Sequence, residues 1–121
     1  MRVKEILNVT SALSEEIRLR IINLLFESEL YVCEIVDILG LPQSTVSRHL
    51  TILKNANIAN DTKSGLWVKY SLNKNRIYNT IIKSLVKEEL INIQKCKEDI
   101  QKLKERLVKD RGCKDNCKGE E

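Results

Sequence analysis

The sequence predicts a mainly α-helical protein with one small β-hairpin, built as a helix-turn-helix unit followed by a long C-terminal helix. Three observations lead there. Of 121 residues, 31% are charged, 4% are aromatic and one is proline, a mix rich in helix formers and poor in turn formers. Two short runs with helical apolar spacing flank the turn "GLP". The apolar period then switches to the strand type and, from Lys74, back to the helical one.

The elements follow in order. "VKEILNVTSAL" reads as a short first helix. Ser14 is the expected N-cap of the next, with Glu15 and Glu16 in a first turn whose dipole favours acids. In "EEIRLRIINLLFE" the residues Ile17, Ile21, Leu24 and Leu25 share one face and are assigned to the core. "YVCEIVDILG" is a short helix with Val32, Ile35, Val36 and Leu39 on one side and Gly40 as its stop. "QSTVSRHLTILKNAN" starts a helix directly after Pro42. "IANDT" and "LWVKYSL" are strand-like around the turn "KSG". One long helix is expected from Lys74 to about Asp110. The sum is a winged helix-turn-helix in residues 1–73 and a C-terminal dimerisation helix with a cysteine-containing tail in residues 74–121.

A net charge of +4 permits a nucleic-acid partner but argues for one only if the charge is clustered. The opening "MRVKEILNVT" holds no apolar run, and no stretch reaches the length of a membrane span, so a soluble cytoplasmic protein with no membrane partner is expected. No nucleophile–base pair, carboxylate pair or phosphate loop is visible, which argues against an enzyme, and nothing calls for an organic cofactor. In a reducing compartment the four cysteines, Cys33, Cys96, Cys113 and Cys117, are expected as free thiols, metal ligands or redox switches.

The helix after Pro42 carries the clearest functional pattern. Val46, Leu50 and Leu53 form its inward stripe. Ser44, Arg48, Thr51 and Asn55 lie opposite, with Ser47 and Lys54 on the flank. Gln43 and Thr45 join them at the helix start, and no acid occurs from Gln43 to Asn57. Short hydroxyls, amides and one Arg suit base edges and phosphate oxygens. On an arbitrary helix this would be a solvated face; after a helix-turn-helix, and beside a hairpin with Lys63 and Lys69, it is a DNA-reading face. His49, at the edge of the apolar stripe, reads as a packing or backbone-bonding residue, and Trp67 and Tyr70 as hairpin packing.

The stretch Ala12–Asn73, above all "ELYVCEI", "LPQSTVSRHLTILKNA" and "GLWVKYSL", resembles the ArsR family of winged-helix repressors. The resemblance implies a homodimer that binds double-stranded operator DNA and releases it when a metal, metalloid or oxidant is sensed. Arsenic- and cadmium-sensing members carry two or three cysteines at the start of the first helix of the helix-turn-helix. Here Tyr31 and Val36 stand where thiols would, and only Cys33 remains, so that site is incomplete. Cys33 reads first as a partly buried structural cysteine. The Asp and His pairs of zinc-sensing members have no counterpart in "NKNRIYNTIIKS", which leaves soft-ligand chemistry.

Ile93, Cys96, Ile100, Leu103 and Leu107 recur in three- and four-residue steps, the pattern of a seam that would pair with the same helix of a second copy. A dimer would set two recognition helices about 34 Å apart, one turn of DNA. Cys96 on this seam reads equally as a small packing residue or a ligand. Cys113 and Cys117 have no packing role to fill and sit among Lys109, Arg111, Lys114 and Lys118, whose charge favours thiolates. The expected inducer is As(III) or Sb(III), taken by Cys113 and Cys117 with a third sulfur from Cys96, Cys33 or the other subunit. Two alternatives stay open: a disulfide or persulfide switch at Cys113 and Cys117, and a protein-interaction module using the winged helix and coiled coil.

Overall fold

The computed structural model describes residues 2–109. Helix α1 (Val3–Leu13) leads into α2 (Glu16–Glu27), then strand β1 (Leu30–Tyr31), α3 (Val32–Leu39), α4 (Gln43–Asn55), strands β2 (Ala59–Ser64) and β3 (Trp67–Leu72), a wide-turn connecting helix, and α5 (Gln94–Lys109). The fold is the expected winged helix-turn-helix.

Local chemistry sets most boundaries. Glu15, not Ser14, caps α2: its carboxylate accepts from the Ile17 and Arg18 N–H groups at 2.6 and 3.3 Å. The Ser14 hydroxyl instead bonds back to the Ser11 carbonyl, closing α1. At the start of α3 the Tyr31 N–H donates to Glu34 Oε1 at 2.8 Å. Gly40 ends α3 in the left-handed region at φ 68°, its N–H on the Val36 carbonyl, so α4 can begin three residues later at a new angle. Gly65, also at positive φ, makes the hairpin turn between the paired Ser64 and Trp67.

The sheet has three antiparallel strands in the order β1-β3-β2. The two-residue β1, which pairs Leu30 with Tyr70 and Tyr31 with Lys69, was not expected: it is too short to show a period of its own. The core gathers Ile21, Ile22 and Leu24 of α2, Ile35 and Ile38 of α3, Leu50 and Leu53 of α4, and Leu30, Ile58, Tyr70 and Leu72 of the sheet region. Each buried Leu or Ile contributes about 1.5–3 kcal/mol.

The single long helix expected after Lys74 is divided. Tyr78–Ile82 and Leu85–Glu89 are wound as wide π turns, Leu90–Asn92 tightens to a 3-10 turn, and Ile93 is extended. The helix breaks there, and α5 packs against α2 and α3 of its own domain. Cys96 and Leu103 are buried in the chain's own core, with Ile100 packed against it. The three-and-four spacing is therefore correct as a buried stripe, and within the chain α5 packs against α2. Spacing cannot distinguish packing within the chain from pairing with a second copy, because both demand the same apolar stripe. The side chain of Leu107 lies outside the described residues. Among the described residues no helix is long and apolar enough to cross a membrane.

Candidate nucleic-acid interface

Helix α4 is held from below. Val46, Leu50 and Leu53 have no exposed surface, so the helix cannot rotate without opening the core. Its opposite face presents Ser44, Arg48 and Thr51 to solvent, with Gln43, Thr45 and Ser47 half-buried beside them. No acid lies in its first turn, where free N–H groups favour an anion.

The lysines divide. Lys63 is exposed on the hairpin. Lys54 is exposed but pairs with Asp61 of β2 at 3.0 Å, and that bond holds its ammonium above the usual range. Lys69 lies 4.0 Å from Glu29 and 5.1 Å from the centroid of the Tyr31 ring, on the outer face of the sheet. Sequence reading noted the absence of acids within α4 but missed Asp61 and Glu29, which come from other elements.

His49 is buried, as its place at the edge of the apolar stripe suggests, and its partner is a side chain. Arg18 Nη1 lies 2.9 Å from His49 Nδ1, and Arg18 Nε donates to the Ala12 carbonyl at 2.7 Å. A guanidinium only donates, so Nδ1 must accept and the imidazole is neutral. Arg18 thus ties α4 to α2 and to the end of α1, a link that thirty-one residues of separation hid. Burial lowers the His49 pKa most, the Arg48 and Arg18 charges lower it further, and Glu15 opposes them. The unfolded chain therefore binds this proton first. The stabilisation is present above the unfolded value of 6.5 and is lost as pH falls toward the depressed folded value. We expect Tm to drop from neutral pH to about pH 5, and to drop less in His49→Gln, whose amide oxygen still accepts from Arg18. Equal drops would show that His49 does not carry the effect.

The described cysteines, Cys33 and Cys96, are not on this face. Cys33, in the first turn of α3, is buried with half-buried Tyr31 and Trp67 around it, separate from the main core. The Tyr31 and Trp67 rings meet edge to face at 6.0 Å, and Val36 packs against the main core. Cys96 is buried with its carbonyl 3.4 Å from Asn23 Nδ2, and burial, then the Asp99 carboxylate, push its thiol pKa up against a smaller pull from Arg20. Cys113 and Cys117 lie outside the described residues. Among the described residues no group of three or more His, Cys, Asp or Glu side chains is placed to hold a metal.

Residues 15–61 match the model for bacterial regulatory proteins of the arsR family. An uncharacterized HTH-type transcriptional regulator of Methanocaldococcus jannaschii is 39% identical over 74 residues, which are 60% of this chain and 83% of that one. The arsenical resistance operon repressor of Escherichia coli K12 is 43% identical over 61 residues, about half of each chain (50% and 52%). Among solved structures, HlyU from Vibrio cholerae superposes with a TM-score of 0.66 at 28% identity, covering 74% of this chain and 98% of that one. A homodimeric winged helix-turn-helix DNA-binding domain from Mycobacterium bovis gives 0.63 at 22% identity, covering 76% and 87%.

Proposed function

This chain belongs to the arsR family of bacterial regulatory proteins, and we propose that it is a homodimeric repressor that binds operator DNA and releases it when As(III) or Sb(III) is taken by its thiolates. The observation that carries the DNA-binding half is the seating of α4. Its apolar face is fully buried and its acid-free polar face is exposed, beside Lys63 on the hairpin. Ser44, Arg48 and Thr51 read base edges; Gln43, Thr45 and Ser47 at the start of the helix, with Lys63, take phosphates. Lys54 and Lys69, already near acids, contribute less.

The homodimer is supported by surface the chain leaves uncovered. Val3, Ile6 and Leu7 on one face of α1 are 71%, 43% and 60% exposed, and Ile91 and Ile93 in the 74–121 segment are also exposed. The inducer half is supported by Cys113 and Cys117 among basic residues and by the similarity to a repressor named for arsenical resistance. Ligand and operator then oppose each other through one conformational equilibrium. A coupling of about 1–3 kcal/mol changes DNA affinity some 5- to 150-fold.

The test is fluorescence anisotropy of an operator fragment while arsenite is titrated under reducing conditions, comparing the wild type with Cys113→Ser/Cys117→Ser. Release by the wild type and retention by the double variant is the expected result. Release by both removes the tail from the sensor. Retention by both, with release by diamide and recovery in dithiothreitol, replaces the metalloid with a thiol oxidation.

A further inference from the structure

The break at Leu90–Ile93 separates the connecting helix from α5, and between them and α2 the fold leaves a cavity of about 300 Å³. At the liquid-water share of about 30 Å³ per molecule, that space suits roughly ten non-hydrogen atoms. Phe26 of α2, Val86 of the wide turn Leu85–Glu89, and Cys96 and Ile100 of α5 give it an apolar body. Two features interrupt that wall.

The first is Asn23, which lines the cavity and is 5% exposed. Among the described residues its one hydrogen bond runs from Nδ2 to the Cys96 carbonyl at 3.4 Å, longer than such bonds usually are. The other amide N–H and Oδ1 have no protein partner there. Oδ1 is not sealed in, since Arg106 Nε alone among the described residues is both enclosed and unbonded. A ligand that meets this buried amide gains selectivity, because one that leaves it unpaired bears the cost.

The second is charge. Lys97 and Lys104 lie seven residues apart on one face of α5 and line the cavity with Lys87 of the wide turn. No ion pair among the described residues engages any of the three. Among the described residues Glu27 is the one acid on the lining, so the mouth favours an anion.

We propose that this cavity is an effector site for a small aryl carboxylate bearing a ring hydroxyl. The ring sits among Phe26, Val86 and Ile100, the hydroxyl meets Asn23, and the carboxylate lies at the mouth beside Lys97 and Lys104. Because α2 packs on both α5 and α4, a ligand wedged between α2 and α5 acts on the seat of the DNA-reading helix. Binding stands apart from the operator reading; the effect on DNA rests on it.

The experiment is calorimetric titration of the reduced full-length protein with para-hydroxybenzoate, benzoate and para-hydroxybenzamide. Wild type should bind para-hydroxybenzoate once per chain and benzoate about 5- to 150-fold more weakly, the effect of leaving the amide unpaired. The uncharged hydroxybenzamide should bind about 3- to 30-fold more weakly than the acid. Asn23→Leu should erase the preference for the hydroxyl, and Lys97→Gln/Lys104→Gln the preference for the acid. Ile100→Trp, checked for folding by circular dichroism, should fill the cavity and abolish binding. Equal wild-type affinity for all three compounds, or undiminished binding in folded Ile100→Trp, overturns the assignment. So does the absence of heat at millimolar para-hydroxybenzoate. Dimer dissociation in Ile100→Trp, read by sedimentation, would then assign the cavity and exposed Ile91 beside it to a second copy of the chain. Binding that leaves operator affinity unchanged overturns the effector role and keeps the site; a protein that binds the acid but no operator overturns the operator reading instead.

Discussion

Asp99→Ala lowers stability by about 3–5 kcal/mol, because it strands the Arg20 guanidinium in the core. The two side chains are 8% and 0% exposed, and the carboxylate accepts two hydrogen bonds in a forked geometry. The bond to Asp99 is the main reason the Arg20 pKa rises, so the arginine cannot escape by giving up its proton. Replacing both partners with apolar residues, Arg20→Met/Asp99→Leu, should recover most of the loss, since the cost lies in an unpaired buried charge and not in the absence of the pair. Urea unfolding of the three proteins checks this. A loss below about 1 kcal/mol in Asp99→Ala would mean that α5 lifts and hydrates the arginine. Amide exchange confined to α5 would then identify that escape.

This pair also marks where the sequence stopped being informative. The helix-turn-helix was legible because each part announces itself locally: the apolar spacing of α3 and α4, Gly40 as a stop, Pro42 as a start, and the change of period at the hairpin. The packing of α5 against α2 was not. Arg20 and Asp99 are separated by 79 residues, and in sequence each reads as ordinary helix surface. Cys96, Ile100 and Leu103 signalled a buried stripe but not what buries it. Likewise Lys54 and Lys69 read as free cations until the fold set Asp61 and Glu29 beside them. Periodicity records which face is covered; the partner is set by distant residues that no local window contains.

Arg48→Ala should weaken binding to a specific operator fragment about 5- to 150-fold, the roughly 1–3 kcal/mol of a guanidinium lost from a base edge. Arg48 is exposed, and no ion pair among the described residues engages it, so the change should leave Tm within about 1 °C, as a substitution far from the core does. Lys63→Ala supplies the contrast. A phosphate contact carries no sequence information, so its loss weakens specific and random DNA alike and reduces the salt slope by about 1. Lys54→Ala should do less than either, because its charge is already shared with Asp61. The ratio of specific to random affinity is therefore the decisive number. If Arg48→Ala lowers both affinities equally, Arg48 holds the backbone and the base-reading role passes to Ser44 and Thr51. If it lowers neither, the polar face of α4 is solvated surface and the exposed seating of this helix serves some contact other than DNA.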